Sequence, residues 1–261
     1  MPQLAMRNPL RHDSPVTMKP PSRTSKPPRH GVARVISKMG LGSRTLAAQW
    51  VREGRVRVNG HVVRDTDFPV REGQDRIDIA GQDYASAGRL VLMLNKPRGL
   101  VTTTKDEQGR DTVYSCLAGA ALPWLAPVGR LDKASEGLLL FSNDPAWAAR
   151  ITDPTSGPDK TYHVQIDRLP DASLLVALQR GIALDGERLS VRSARCLRTG
   201  GRNAWLEIAL TEGRNRQIRR LLATFDVSVL RLVRVAMGPL SLGELPKGQW
   251  RMLTEREIDS L

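Results

Sequence analysis

Residues 129–141 read Gly129-Arg130-Leu131-Asp132-Lys133-Ala134-Ser135-Glu136-Gly137-Leu138-Leu139-Leu140-Phe141, a polar, glycine-flanked loop that runs straight into an unbroken apolar stretch. Consecutive large apolar residues bounded by turn formers have the pattern of a strand buried on both faces. Leu90 to Leu94 is a second such stretch, and Pro97 and Gly99 turn the chain out of it. A loop that empties into a central strand can hold a side chain rigidly at a sheet edge, which makes Asp132 a candidate for chemistry. On spacing alone an aspartate in such a loop is more often a cap for its own turn than a catalyst.

Outward from this core the pattern stays mixed. Ala146 to Ile151 reads as a helix opening behind Asn143 and Asp144. Tyr162, Val164 and Ile166 alternate as a strand, and Trp205, Ile208 and Leu210 do so imperfectly. Arg216 to Phe225 reads as a helix with Ile218, Leu221 and Leu222 on its inner face. Val229 to Val235, Leu240 to Leu242 and Trp250 to Leu253 return to strand. Separated strands with few intervening helices predict an α+β domain with a mixed or mainly antiparallel sheet over residues 90–254, followed by a short tail over 255–261.

The segment before it reads as a separate unit. Val32, Val35, Ile36 and Met39 have helical spacing. Ser43 can cap a second helix whose Leu46, Trp50 and Val51 share a face, and Gly54 ends that helix. Arg55 to Val58 then alternates as a strand into Asn59-Gly60, a strong tight-turn signal, with Val62 and Val63 after it and Ile77 and Ile79 closing the unit. The reading is a small helix-helix-strand module over 31–81, a linker over 82–89, and a disordered basic tail over 1–30.

The chain of 261 residues carries 40 Lys and Arg against 27 Asp and Glu, a formal charge of +13. That excess implies an anionic partner, and arginines recurring inside patterned segments favour nucleic acid. No apolar run approaches a membrane span. Cys116 and Cys196 lie far apart and are expected as buried thiols. His12, His30, His61 and His163 form no cluster, so neither a disulfide framework nor a metal site is expected. A nuclease would need a carboxylate cluster for metal or paired histidines, which cannot be assembled here. The chain is expected in the cytoplasm.

The 129–141 segment resembles the central motif of the pseudouridine synthases, Gly-Arg-Leu-Asp continuing through Ser-x-Gly-Leu-Leu-Leu. Asn95-Lys96-Pro97-Arg98-Gly99, Lys160-Thr161-Tyr162 and Gly213-Arg214-Asn215-Arg216-Gln217-Ile218-Arg219-Arg220 are similar to the family's other motifs and stand in its order. The likeness covers roughly Leu90 to Leu253. Gly40-Leu41-Gly42-Ser43-Arg44 and Gly54-Arg55-Val56-Arg57-Val58-Asn59-Gly60 resemble an S4 RNA-binding domain, with Thr45 where a second arginine is often found. An S4 module ahead of a synthase domain resembles the RsuA/RluB-type branch, which modifies ribosomal RNA.

What the resemblance implies is specific. Asp132 would be the catalytic carboxylate, either attacking C1′ or helping to remove the neighbouring proton to give a glycal. Tyr162 would stack on the uracil and act near C5, and Arg219 would pair with Asp132. Arg214, Arg216 and Arg220 are expected to face phosphates, Lys160 to contact a phosphate or support the site, and Lys96, Arg98 and Arg130 to be weaker RNA contacts. Arg44, Arg52, Arg55 and Arg57 would carry RNA on the small module. The isomerisation adds no external atom and no redox step, so no cofactor or metal is expected. The expected partner is ribosomal RNA or a ribosomal assembly intermediate, with large-subunit RNA favoured and the protein a monomer. A non-catalytic ribosome-associated RNA-binding protein explains the charge equally well, but not the aspartate, tyrosine and arginine appearing together.

Overall fold

The computed structural model describes residues 29–72, 74–80, 88–104 and 106–261. The expected basic tail, up to residue 28, and most of the expected linker lie outside the described residues.

The small module opens with β1 (His30–Gly31), α1 (Val32–Lys38) and α2 (Arg44–Arg52). Ser43 caps α2 as its position predicts: its Oγ accepts the Leu46 N–H at 3.0 Å, a contact that stabilises a helix by about 1 kcal/mol. Val32, Val35 and Ile36 pack with Ala47, Trp50 and Val51 in one apolar cluster. Met39 does not join the buried face; it is the C-cap of α1 and lies exposed. Strands β2 (Val56–Val58), β3 (His61–Val63), β4 (Pro69–Val70) and β5 (Ile77–Ile79) follow. β2 runs antiparallel between β3 and β5, and β1 pairs with β4. Asn59 and Gly60, at φ 50° and 85°, make the β2–β3 turn, where left-handed backbone at both central positions matches the strand twist.

The larger domain contains β6 (Val91–Lys96), a 3₁₀ turn (Val113–Leu117), β7 (Ala126–Val128), β8 (Glu136–Ser142), α3 (Pro145–Thr152) and β9 (Lys160–Ile166). Then come α4 (Ala172–Arg180), β10 (Ile182–Leu184), β11 (Glu187–Leu189), β12 (Ser193–Thr199) and β13 (Ala204–Leu210). It closes with α5 (Gln217–Ala223), β14 (Val229–Met237), β15 (Leu240–Ser241), β16 (Trp250–Met252) and α6 (Glu255–Asp259). Among the described residues one nine-stranded sheet runs in the order β12-β13-β9-β14-β8-β6-β16, with β15 on β14 and β7 on β8. Its β14–β8 pair is parallel and the others are antiparallel. The fold is therefore α+β with a mixed, mostly antiparallel sheet.

Two apolar layers cover the sheet. Leu139 and Phe141 of β8 face the layer that holds α4 and α5, while Leu138 and Leu140 face the one that holds α3 and α6. This is why the run reads as continuously apolar. Trp205 is not on the inward row of β13. Ala204, Leu206, Ile208 and Leu210 point in, and Trp205, of the opposite parity, points out between Arg198 and Arg231. The expected C-terminal tail is instead α6, closed by a Thr254–Glu257 capping box, with Ile258 buried in the second layer. The cysteines differ from expectation too. Cys116 is half-buried and Cys196 is exposed, because β12 is the edge strand of the sheet.

Candidate active site

The loop that carries Asp132 is held by residues upstream of it. Lys96, at the end of β6, is wholly buried. Its Nζ donates to the carbonyls of Pro97 at 3.1 Å, Asp132 at 3.2 Å and Ser135 at 2.9 Å. Burial pushes the Lys96 ammonium down to about 8, against the opposing pull of Asp132. Thr102 Oγ1 donates to the Leu131 carbonyl at 2.7 Å and accepts the Leu131 N–H at 3.3 Å. Gly99 N–H donates to the Lys133 carbonyl at 2.8 Å. Lys96 is thus not an RNA contact but a clamp on the aspartate's own backbone.

Arg219 of α5 does not pair directly with Asp132. Its Nη1 donates to Val229 O at 3.1 Å and its Nη2 to Ala134 O at 3.3 Å, so its fork is committed to the backbone of β14 and of the loop. Burial, helped by Arg216, lowers the pKa of Arg219, and the Asp132 charge opposes that shift. At the far end of the loop Glu136 is buried and accepts Arg231 at 3.1 and 3.0 Å and Lys247 at 2.6 Å. Burial raises the Glu136 pKa, but the two cations bring it below its ordinary value. Gly137 then lets β14 pass: a Cβ there would lie 2.2 Å from the Arg234 carbonyl oxygen, and its φ is +99°.

Asp132, half-buried, opens onto a cavity of about 560 Å³. Lys160 and Tyr162 of β9 and Leu232, Arg234 and Met237 of β14 line it from the sheet, and Arg130, Arg214 and Arg216 line it from loops. The carboxylates of the lining are Asp132 and Glu212. Glu212 is paired with Arg214 at 2.9 Å. Asp132 has no ion-pair partner among the described residues, so its charge is available to whatever enters.

The cations sort into two groups. Arg130, Arg98 and Arg216 are exposed and in no ion pair among the described residues. Arg214 and Arg220, expected to face phosphates, are instead engaged by acids: Arg214 by Glu187 at 2.7 Å, and Arg220 by Glu187 at 2.6 Å and Asp185 at 3.1 Å. The β10–β11 hairpin brings those acids onto α5, and no sequence pattern signalled it. Lys160 is buried and donates to Thr211 O at 3.4 Å, so it belongs to the cavity wall and not to an exposed rim. On the small module Arg44, Arg52 and Arg57 are exposed. Arg55 is half-buried, 5.8 Å over the Trp50 ring, and paired with Glu53 at 3.6 Å, which gives it a packing role. Arg234 escaped the sequence reading. The available signal was an arginine on the inward parity of β14, with Leu232.

This geometry, a carboxylate loop clamped over a sheet-floored cavity, agrees with the comparisons. Residues 90–224 match the model of the RNA pseudouridylate synthase family and residues 32–76 that of the S4 domain. The chain belongs to the RNA pseudouridine synthases and carries an S4 domain at its N-terminal side. It is 34% identical over 230 residues to ribosomal large subunit pseudouridine synthase B of Bacillus subtilis, covering 87% of this chain and 93% of that one. It is also 34% identical to an RNA pseudouridine synthase of Aquifex aeolicus, over 88% of this chain and 92% of the other. A solved pseudouridylate synthase structure superposes with a TM-score of 0.62 at 28% identity, covering 88% of this chain and 99% of that one. Among the described residues no group of three or more His, Cys, Asp or Glu is placed to hold a metal ion. No described helix is long and apolar enough to cross a membrane.

Proposed function

We propose that this protein converts one uridine of large-subunit ribosomal RNA to pseudouridine, with Asp132 as the catalytic residue. The observation that carries the assignment is the Asp132 carboxylate, in no ion pair among the described residues, at a cavity whose wall includes Tyr162. A uridine in folded RNA reaches such a site only when flipped out of its stack, and a pocket rimmed by Arg130 and Arg216 holds the displaced backbone by its phosphates. Once inside, the C1′–N1 bond breaks, the uracil turns, and C1′ joins C5. The carboxylate serves this either by attacking C1′ or by taking the neighbouring proton. Tyr162 stacks on the ring. Arg219 acts as a positioning residue, because it ties α5 and β14 to the Asp132 loop. The small module supplies RNA affinity through Arg44, Arg52 and Arg57, and joining two modest contacts raises the effective concentration at the target. The protein acts as a monomer in the cytoplasm, on ribosomal RNA or an assembly intermediate, without a cofactor. The large-subunit target rests on the similarity to synthase B of Bacillus subtilis.

The test is Asp132→Asn. It should abolish single-turnover pseudouridine formation at saturating enzyme while the thermal melt and RNA affinity stay close to those of the unaltered protein. Near-normal turnover by the folded variant would reject Asp132 as the catalyst.

A further inference from the structure

The cavity contains a second polar feature that the aspartate chemistry does not use. Arg234 is 95% buried, at 5% exposure, and lines the cavity beside Lys160, itself 7% exposed. Arg234 Nε donates to the Leu138 carbonyl at 2.7 Å, but its Nη2 is buried without a hydrogen-bond partner among the described residues. Neither cation has an ion-pair partner among the described residues. The acids that act on Lys160 are Asp159 and Asp153. Both are engaged elsewhere, Asp159 by Arg192 and Asp153 by the N–H groups of Thr155 and Ser156. Burial lowers the Lys160 pKa and the neighbouring Arg234 charge lowers it further. Two buried cations side by side, one with an unmet donor, are costly unless something negative completes them.

We propose that Arg234 and Lys160 bind the uracil ring through its carbonyl oxygens and stabilise the uracil anion released when the C1′–N1 bond breaks. The position favours the base over a backbone phosphate. Arg234 pairs in register with Tyr162, and Lys160 lies two residues from Tyr162 on β9, so the cations share the sheet floor with the stacking ring. The exposed Arg130 and Arg216 stand at the loops, where phosphates would pass. The electron balance needs such a partner. Heterolysis leaves the bonding pair on the uracil, spread over N1 and the two carbonyl oxygens. The carbon centre is satisfied by a bond to Asp132 or by loss of its C2′ proton. When C5 then bonds to C1′, the Asp132–C1′ bond breaks or, on the other route, the proton returns to C2′; the C5 proton leaves and N1 gains one, so the product is an isomer and nothing is consumed. Fixed donors aimed at developing negative charge are worth most in a water-poor site.

The inference rests on the assignment of this cavity to the uridine. It is tested by single-turnover cleavage of the N-glycosidic bond, read by nucleoside chromatography, at saturating enzyme. The proteins are the unaltered chain, Arg234→Gln, Arg234→Lys and Lys160→Met. The RNA carries either uridine or 5-fluorouridine at the target; fluorine withdraws electrons and makes the uracil a better leaving anion. Arg234→Gln and Lys160→Met should each slow the uridine reaction by about 100-fold, the usual effect of losing one such donor, with RNA affinity within about twofold. The deficit should shrink by about tenfold or more on 5-fluorouridine, and Arg234→Lys should recover part of the rate. Equal deficits on both substrates would overturn the proposal, because a merely structural role does not sense the leaving group. So would a spared saturated rate with weaker RNA binding and a salt dependence shallower by about one ion, the signature of a phosphate contact. If Arg234→Gln does not fold, Lys160→Met and Arg234→Lys read the same ratio. Unaltered activity in these variants alongside an inactive Asp132→Asn would sink this inference and leave the proposed function standing.

Discussion

Lys96→Met tests how the catalytic loop is held. The side chain is fully buried and donates to three carbonyls; Asp132 O keeps the Ser135 N–H, so the substitution leaves two acceptors, Pro97 O and Ser135 O, without that donor. Each unmet group costs about 1–3 kcal/mol, or about 4 kcal/mol together. The loss is offset because a buried cation is removed. A fall from 10.5 to about 8 corresponds to about 3 kcal/mol of unfavourable burial. The expected net destabilisation at neutral pH is therefore about 1 kcal/mol, read as a lower urea midpoint with unchanged slope. The sign of the pH dependence follows from the same shift. Below pH 8 the lysine is protonated both folded and unfolded. Between about 8 and 10.5 the unfolded chain binds more protons, so the unaltered protein gains stability with rising pH by up to about 3 kcal/mol, and Lys96→Met does not. The gap between the two should widen over that interval. Turnover should fall by about 100-fold at saturating RNA, since small displacements of a reacting group cost that much. A gap that stayed flat or narrowed with pH, or a variant as stable and active as the original, would refute the clamp.

Gly137→Ala should lose about 3 kcal/mol in a denaturation series, from a positive-φ side chain and overpacking against β14, where the added Cβ meets Arg234 backbone at 2.2 and 2.8 Å; an unchanged midpoint would contradict that close approach. Tyr162→Phe keeps the stacking ring and loses the hydroxyl, so RNA affinity should persist while the single-turnover rate falls; a full rate would remove the hydroxyl from the chemistry. Arg44→Ala with Arg57→Ala should weaken RNA binding and make its salt dependence shallower by about two ions while saturated turnover is retained, and unchanged affinity across a salt series would deny the small module its RNA contact.

Much of the fold was legible because the decisive signals are local. Leu138 to Phe141 announces a strand buried on both faces, Ser43 announces a helix start, and Asn59-Gly60 announces a hairpin turn; each depends on residues that touch along the chain. The Asp132 loop was legible for the same reason, since its glycines, charges and following strand are contiguous. The partners of long polar side chains were not. Lys96, Arg214 and Arg220 read as exposed cations that should meet phosphate, and the structure occupies them with loop carbonyls and with the acids of a hairpin some thirty residues away in sequence. Arg219 read as the aspartate's charged partner, yet its fork is committed to two backbone carbonyls. Arg234 showed in sequence only its inward parity on β14, and the pairing of β14 beside β9 is what places it next to Lys160 and Tyr162. Periodicity and turn chemistry are properties of neighbours in sequence, so the sequence alone determined the elements and the loop that bears the carboxylate. Which cation is clamped, paired or left with an unmet donor is a property of neighbours in space, and only the tertiary structure decided it.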